Sequence, residues 1–481
     1  MVETLTRWSE ALAARVFSTF PIFGTEVEWV VLILAAGMLF FTLWLGVPQV
    51  RGIHIGFKLL SGKHDDPTAP GSVSQFQALS TALSSTIGLG NIAGVAIAIA
   101  MGGPGAALWM FVIGFFAMGL KASEVTLGLM HREVHADGTV HGGPMYTLKN
   151  GLASIGFPKS GRRLGAVYAV LACIGGTMPL VQVNQSFSQM AGTVGFTPTP
   201  GAGLAYGVVI ALLTGVVIIG GVRSIARVTE KLVPMMCVVY LGGVIAVLIA
   251  NAGAVPGAIA TIFESAFNPG AAAGGVLGVF VVGMRRAVFS TEAGVGTAVI
   301  AHSAARTRHP ASEGMVALLE PMFDTMIVCM ATALMIVVTG VYTAGYTDVA
   351  MTSAAFESVI GWFPWVLMVA VLLFAFSTIL AVGYYFMTAW GYLFGTGQKR
   401  DLTAKLFYCL LIPVGAIAGT GAVVDYMDSM FFLLVLPNLV ALVLLAPKLR
   451  REVNTFLADV KAGRIYRGGE PDDETALPRH D

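Results

Sequence analysis

Four polar residues and two glycines stand together in an otherwise apolar run, Ser84-Ser85-Thr86-Ile87-Gly88-Leu89-Gly90-Asn91, inside the segment from Gln75 to Met110. Each glycine costs roughly 1 kcal/mol of helix propensity relative to Ala, and hydrocarbon penalises polar side chains unless they are satisfied. A broken helix with something polar bound at the break is therefore expected. N–H groups freed at Gly88, Leu89 and Gly90, where a half-helix begins near Asn91, would hold a carboxylate against the positive helix end. Carbonyls freed around Ser84 and Ile87, with the hydroxyls and the Asn91 amide oxygen, are the hard oxygen ligands that sodium takes. Close helix packing through Gly90 and Gly94 competes with this reading, but it leaves the clustered Ser-Ser-Thr and Asn unexplained. A nucleotide loop is excluded, because no GxGxxG follows a strand here.

Other polar groups are dispersed through the apolar segments. Gln182, Asn184 and Gln185 lie in LVQVNQSF, where contact of Gln182 with a substrate amine competes evenly with interhelical hydrogen bonding. Ser377 and Thr378 lie in FAFSTIL, where hydroxyls taken alone bond back to the preceding turn. Lys121 and Glu124 are spaced to pair on one helix face. Glu292, in FSTEAG, is expected to organise the cytoplasmic end by pairing with Arg285 or Arg286. Glu320 and Asp324, in LLEPMFD, are intramembrane carboxylates and so functional candidates. His131, His135 and His141 fall in a loop without a closed ligand set. The four cysteines are scattered singly and read as inert core thiols. Neither HExxH nor GxSxG is present, so an intramembrane hydrolase lacks its machinery.

The chain that must position these groups has 481 residues, 56% hydrophobic and 11% charged, against about a quarter charged in soluble domains. This is the composition of a polytopic membrane protein, and a net charge of +1 gives no field for nucleic acid. Apolar runs of bilayer length fall at 28–50, 75–101, 105–130, 163–190, 203–222, 231–252, 272–286, 315–343, 360–390, 402–422 and 427–446, eleven in all. With the N-terminus outside, one face collects the basic loops: Arg51 to Lys63, Arg132 to Arg163, Arg223 to Lys231, Arg285 to Arg308, Lys399 to Lys405, and the tail from Lys448. The opposite loops carry no Lys or Arg, so the basic face is expected to be cytoplasmic. Residues 1–27 read as an extracellular segment, amphipathic over Glu3 to Phe20 and without a cleavable leader. Residues 28–447 read as the transmembrane transporter domain, and 448–481 as a cytoplasmic tail.

With the first span set aside, ten remain, in core repeats of about 75–252 and 253–446. The sixth of the ten is short and glycine-rich at Ala273-Gly274-Gly275-Val276-Leu277-Gly278, with Asn268-Pro269-Gly270 as the alternative interruption. Weak points at corresponding positions of two halves indicate an inverted-repeat secondary transporter with its site near the midplane, and put Gly274 and Gly275 at the substrate.

Six motifs then follow in order: GLGNIAGVAIAIAMGGPGAALWM at 88–110, GGPMY at 142–146, QVN at 182–184, RAVFSTEAGVGTAVIAHSAARTRHP at 286–310, EGMVALLEPMFDT at 313–325 and LFAFSTIL at 373–380. Together they resemble the alanine or glycine:cation symporter family from about 28 to 447. The resemblance implies the all-α fold of neurotransmitter:sodium symporters and the amino acid, polyamine and organocation superfamily, an inverted 5+5 repeat with one extra N-terminal helix, in the cell membrane. It implies a transporter and no enzyme, without cofactor, importing a small neutral amino acid such as alanine or glycine with Na+ by alternating access. The alternatives are proton coupling, which would make Glu124, Glu320 or Asp324 essential, and a larger or different amine substrate. By the same resemblance the substrate carboxylate meets Thr86, Gly88, Leu89 and Gly90, and Gln182 reads the amine or the pocket. Sodium would take the Ser84, Ile87 and Phe374 carbonyls and the Ser377 and Thr378 hydroxyls, with Asn91 at a second, carboxylate-linked cation position.

The chain departs from the family pattern in three places. Many relatives read GTGN where this chain has Gly88-Leu89-Gly90-Asn91, so only backbone remains at Leu89. Many read STILGWSYYG where Ser377 to Phe386 read STILAVGYYF, which puts Val382 where a Trp walls the pocket and implies room for a larger side chain. RGxFSNEAG becomes Arg286-Ala287-Val288-Phe289-Ser290-Thr291-Glu292.

Overall fold

A computed structural model describes residues 11–22, 25–62, 66–135, 139–176, 179–268, 275–417 and 429–464. The chain is mostly helical, with two short antiparallel hairpins, β1 (Thr19–Ile22) with β2 (Thr25–Glu28) and β3 (Glu133–Val134) with β4 (Val140–His141). Residues 11–16 are helical and then give way to the first hairpin, so only the first part of the described amphipathic segment is a helix.

The principal helices are α1 (Trp29–Trp44), α2 (Pro48–Leu60), α3 (Gln75–Thr86), α4 (Ala93–Gly102), α5 (Ala106–Met130) and α6 (Pro158–Gly175). Then come α7 (Pro179–Val194), α8 (Pro200–Ile219), α9 (Gly221–Ala250), α10 (Val255–Phe267), α11 (Gly275–Thr291) and α12 (Ala298–His302). Last are α13 (Pro310–Thr339), α14 (Asp348–Glu357), α15 (Phe363–Phe394), α16 (Gln398–Ile417) and α17 (Val435–Lys461). Among the described residues, and with α6 and α7 taken together as 158–194, seven helices are long and apolar enough to cross a membrane, or up to nine when two bent pairs each count as one span. The bent pairs are α1 with α2, at 77°, and α3 with the stretch Leu89–Gly102, at 60°. The expected spans 272–286 and 402–422 fall on α11, which has 17 residues, and on α16, whose start carries Lys399, Arg400 and Asp401.

Local chemistry fixes where the first break sits. A capping box starts α3: Ser74 Oγ accepts from the Gln77 N–H at 3.2 Å, and Gln77 Oε1 accepts from the Ser74 N–H at 3.0 Å. The helix ends at Thr86, Ile87 turns to ψ 96°, Gly88 is fully extended, and a single 3₁₀ turn over Leu89–Asn91 leads into α4.

A break in helix geometry that the glycine count does not point to lies further on, while the alternative interruption Asn268-Pro269-Gly270 falls, after Asn268, outside the described residues. Residues 269–274, including Gly274, lie outside the described residues, and from Gly275 onward the chain is helical without interruption to Thr291. Helix geometry fails instead at Glu292, Gly294 and Gly296, with φ of 52°, 91° and 86°. At Gly294 and Gly296 a Cβ would also stand 2.3 Å from Leu34 Cδ2 and 2.6 Å from Pro144 Cγ, so both the backbone turn and the close approach require glycine.

This shift moves the two arginines. Arg285 and Arg286 sit within α11, before the break, rather than in a basic loop with Arg306 and Arg308. Arg285 Nη1 meets Glu28 Oε1 at 3.0 Å, and its guanidinium lies 4.4 Å from the Phe17 ring centroid, at the start of the first span. Arg306 and Arg308 lie with the segment ahead of α3, where Arg308 Nε pairs with Asp66 Oδ2 at 2.7 Å.

Small residues let α5 approach both neighbours that carry the site. A Cβ on Gly283 of α11 would stand 2.7 Å from the Ala106 carbonyl, and one on Gly314 of α13 would stand 2.9 Å from that of Ala122.

Candidate functional site

At the first break the Asn91 side chain does two jobs. Its Oδ1 accepts the Gly88 N–H at 2.8 Å, closing the turn on itself. Its Nδ2 donates to Asp324 Oδ1 at 2.6 Å and to the Asp324 carbonyl at 3.1 Å. Asp324 Oδ2 accepts in turn from Ser290 Oγ at 2.5 Å and Thr325 Oγ1 at 2.7 Å, and Cys329 Sγ lies 3.3 Å from both Asn91 Nδ2 and Ser290 Oγ. Asn91, Asp324 and Thr325 have no solvent exposure. Asp324 occupies a widened π-type stretch of α13, Met322–Cys329, a form of helix often found at functional sites. A carboxylate, two hydroxyls and an amide therefore converge beside the broken turn.

Of the three expected carboxylate-binding N–H groups, Gly88 is thus already occupied by Asn91. Among the described residues no acceptor takes the Leu89 or Gly90 N–H. Thr86 turns its hydroxyl back to the Ala82 and Leu83 carbonyls, at 3.5 and 3.4 Å.

Helix α15 brings the other expected oxygens to the end of α3. Thr378 Oγ1 donates to the Ser84 carbonyl at 3.0 Å, Ser84 Oγ to the Ser377 carbonyl at 2.7 Å, and Ser377 Oγ to the Phe374 carbonyl at 2.9 Å. A Cβ on Gly88 would stand 3.1 Å from Thr378 Oγ1. Ser84, Phe374, Ser377 and Thr378 are fully buried, and Ile87 sits in the extended residue that follows α3. These are neutral hydroxyl and carbonyl oxygens, the donor type that suits a hard monovalent cation.

The remaining substrate candidates are less closely tied. Gln182 is buried on α7, with its Oε1 lacking a hydrogen-bond partner among the described residues, and its neighbour Val183 packs in one cluster with Ile379 and Leu380. Val382 is 5% exposed and shares a helix face with Thr378 and Tyr385. Tyr385 itself reaches Ser85, hydroxyl to hydroxyl at 3.0 Å, a contact that residue types alone do not reveal. Gly275, at the first turn of α11, lies a whole helix before the second break.

The second break is closed by side chains of the protein. Glu124 Oε1 accepts the Gly294 N–H at 2.5 Å and the Asn438 Nδ2 at 3.1 Å, and Asn438 also donates to the Gly294 carbonyl at 2.9 Å. Tyr168 donates its hydroxyl to the Val295 carbonyl at 2.9 Å, and Thr297 donates to Glu292 Oε2. The expected pairings are therefore replaced. Glu124 turns to the break while Lys121 faces Glu320 at 3.7 Å, and Glu292 bonds within its own turn rather than with Arg285 or Arg286. Among the described residues no three His, Cys, Asp or Glu side chains gather as a metal-ion ligand set.

A broken helix presenting free N–H groups beside a buried oxygen cluster is the arrangement of a solute and ion carrier. The family model of the sodium:alanine symporter family matches residues 12–467. The chain belongs to that family. It is 37% identical over 433 residues to the sodium/alanine symporter AgcS of Methanococcus maripaludis, covering 89% of this chain and 93% of the relative. It is also 32% identical over 438 residues to a probable sodium/glutamine symporter, GlnT, of Bacillus subtilis, covering 90% and 89%. In fold it is similar to MhsT, solved with L-phenylalanine, at a TM-score of 0.57 and 16% identity, over 82% of this chain and 98% of that one. A manganese transporter of Eremococcus coleocola follows at 0.51 and 12%, covering 81% and 86%. These likenesses speak to the fold alone, and a shared fold does not fix a substrate. As a member of this family the chain is a multi-pass membrane transporter of the amino-acid:cation symport type, and not an enzyme.

Proposed function

We propose that the chain imports a small neutral amino acid, alanine, glycine or a close relative, together with Na+, by alternating access. One observation carries this reading: the Thr378 hydroxyl meets the Ser84 carbonyl, and the Ser84 hydroxyl the Ser377 carbonyl, at the end of α3, next to the Leu89 and Gly90 N–H groups that no acceptor among the described residues takes. A substrate carboxylate would sit on those N–H groups, at the positive end of the half-helix. Sodium would take the Ser84, Ile87 and Phe374 carbonyls with the Ser377 and Thr378 hydroxyls. Asn91, with Asp324, Ser290 and Thr325 beside it, would form the second cation position. Gln182 would read the amine, and Val382 would bound the side-chain pocket.

The surrounding architecture in this reading is eleven spans, one followed by an inverted 5+5 repeat, in the cell (inner) membrane, with the N-terminus outside and residues 448–481 in the cytoplasm. In this reading the broken turn at 87–91 belongs to the first core span and the turn at 292–296 closes the sixth, the placement expected of such a repeat.

Proteoliposomes given an inward Na+ gradient and a panel of labelled amino acids test the proposal. Concentrative uptake of alanine or glycine that disappears when choline replaces sodium is the expected result. Uptake unaffected by choline and driven by an imposed proton gradient would replace sodium by the proton, and would move attention to Asp324.

A further inference from the structure

Away from the first break, four side chains form a buried line across three helices. Lys121 Nζ, on α5, stands 3.7 Å from Glu320 Oε1, on α13. Glu320 Oε2 stands 3.4 Å from His302 Nε2, on α12, and His302 Nδ1 lies 2.6 Å from Glu313 Oε1, also on α13. None of the four is more than 1% exposed.

The protons in this line can be counted. A neutral imidazole donates from only one ring nitrogen, so a ring that faces a carboxylate at both nitrogens is matched only when it, or one carboxyl, holds an additional proton. With that proton, two positive groups balance two negative ones. Without it the line carries a net negative charge away from water, which proteins avoid. Among the described residues the ion pairs at Glu320 are those with Lys121 and His302 themselves. Glu124 on α5 and Glu292 at the second break both lie in electrostatic range of Lys121, and the Tyr385 hydroxyl of α15 lies in range of Glu320 and Glu292. Arg132, past α5, and Gln75, on α3, both act at the Glu313 end.

We propose that Glu313, His302, Glu320 and Lys121 form a proton-binding site, separate from both proposed cation positions, that ties the short helix α12 to α13. Its state reaches the first break through backbone. Arg132 grips the Ser303 and Ala305 carbonyls at 2.8 and 2.7 Å and the Pro70 and Thr307 carbonyls at 2.9 Å each. Val73 and Ala305 form a parallel bridge just ahead of α3. Loss of the proton sets Glu313 and Glu320 against each other across α12, and so loosens the segment that leads into α3.

The transport arm of the test rests on the symport reading; the melting arm does not. Full-length wild type, H302Q, E313Q and the loop-histidine control H135Q are each melted in detergent across a pH series. The same proteins are assayed for alanine uptake in proteoliposomes at a fixed Na+ gradient, with equal pH on both sides. The folded state favours the protonated line, so wild type and H135Q should lose thermal stability and uptake as pH rises. H302Q should lack this alkaline limb in both measurements. E313Q, which removes one charge-assisted partner, should move the limb to lower pH by about one unit. A wild-type limb in H302Q, or an unmoved limb in E313Q, overturns the proposal, and E313Q decides alone where H302Q does not fold. Wild type that melts with the expected pH dependence but takes up no alanine under the sodium gradient sinks the symport reading and leaves the proton site standing.

Discussion

The two broken helices solve the same backbone problem in opposite ways. At the first break the turn is closed by a neutral amide, Asn91, and among the described residues no acceptor takes the Leu89 and Gly90 N–H groups. At the second break the Gly294 N–H receives the Glu124 carboxylate, Asn438 bridges that carboxylate and the Gly294 carbonyl, and Tyr168 binds the Val295 carbonyl. A buried, freed N–H group needs an acceptor. Where the chain supplies its own carboxylate, the break is structural; where it withholds one, a ligand carboxylate is called for. The contrast supports the proposed placing of the substrate at the first break, independently of any relative.

Removing the built-in carboxylate breaks this comparison most directly. Glu124→Ala leaves the Gly294 N–H and the Asn438 amide without their shared acceptor, a loss of about 3 kcal/mol or more at a buried site. A drop of several degrees in melting temperature and loss of uptake are expected, whereas Glu124→Gln, which keeps an acceptor oxygen, should recover most of the stability. If Glu124→Ala melts like wild type, the second break is not held by this carboxylate.

At the first break the matching change should affect ion use rather than folding. Thr378→Ala removes a hydroxyl that sits 3.0 Å from the Ser84 carbonyl. The sodium concentration for half-maximal uptake should rise about tenfold, the equivalent of ~1.4 kcal/mol, with little change in melting. An unchanged sodium requirement would remove Thr378 from the ion site.

A smaller effect separates glycines that the site needs from those it tolerates. Gly88→Ala brings a methyl to 3.1 Å from Thr378 Oγ1, while nothing lies within 4 Å of a Cβ on Gly94. Gly88→Ala should raise the sodium requirement by about fivefold, in line with ~1 kcal/mol of crowding, and Gly94→Ala should be silent. Equal behaviour of the two would mean that Thr378 can give way freely.

These contrasts also mark what could be read from residues alone. The first break is legible because Ser, Thr, Asn and Gly types conflict with a lipid-facing helix at one place. The second is not, because glycines serve two purposes that composition does not separate. Gly283 lets α5 approach, whereas Gly294 and Gly296 adopt positive φ, and the glycine-rich stretch at 273–278 draws attention away from both. Charges mislead in the same way. The spacing of Lys121 and Glu124 on one helix describes only that helix, while their partners, Glu320 and Gly294, come from about 200 and 170 residues further on. The meeting of Asn91, Ser290 and Asp324 is equally a product of packing among three elements, although Asp324 is marked as a candidate by its charge within a span.

Val382 gives the least disruptive test, since its effect falls on a ratio rather than on transport itself. It stands one turn after Thr378 and one before Tyr385 on a single face of α15, and those two residues reach Ser84 and Ser85. A side chain between them therefore borders the end of α3. Val382→Trp introduces a large ring there, and a pocket bounded by this position should then reject long side chains first. Alanine uptake is expected to stay within about threefold of wild type, while uptake of leucine or methionine relative to alanine falls by about tenfold, the scale on which a pocket discriminates by a methylene or two. If leucine and methionine are not transported by wild type at all, the pocket is closed by something other than residue 382. If Val382→Trp changes all amino acids equally, the face shared by Thr378 and Tyr385 is a helix contact and not a wall of the pocket.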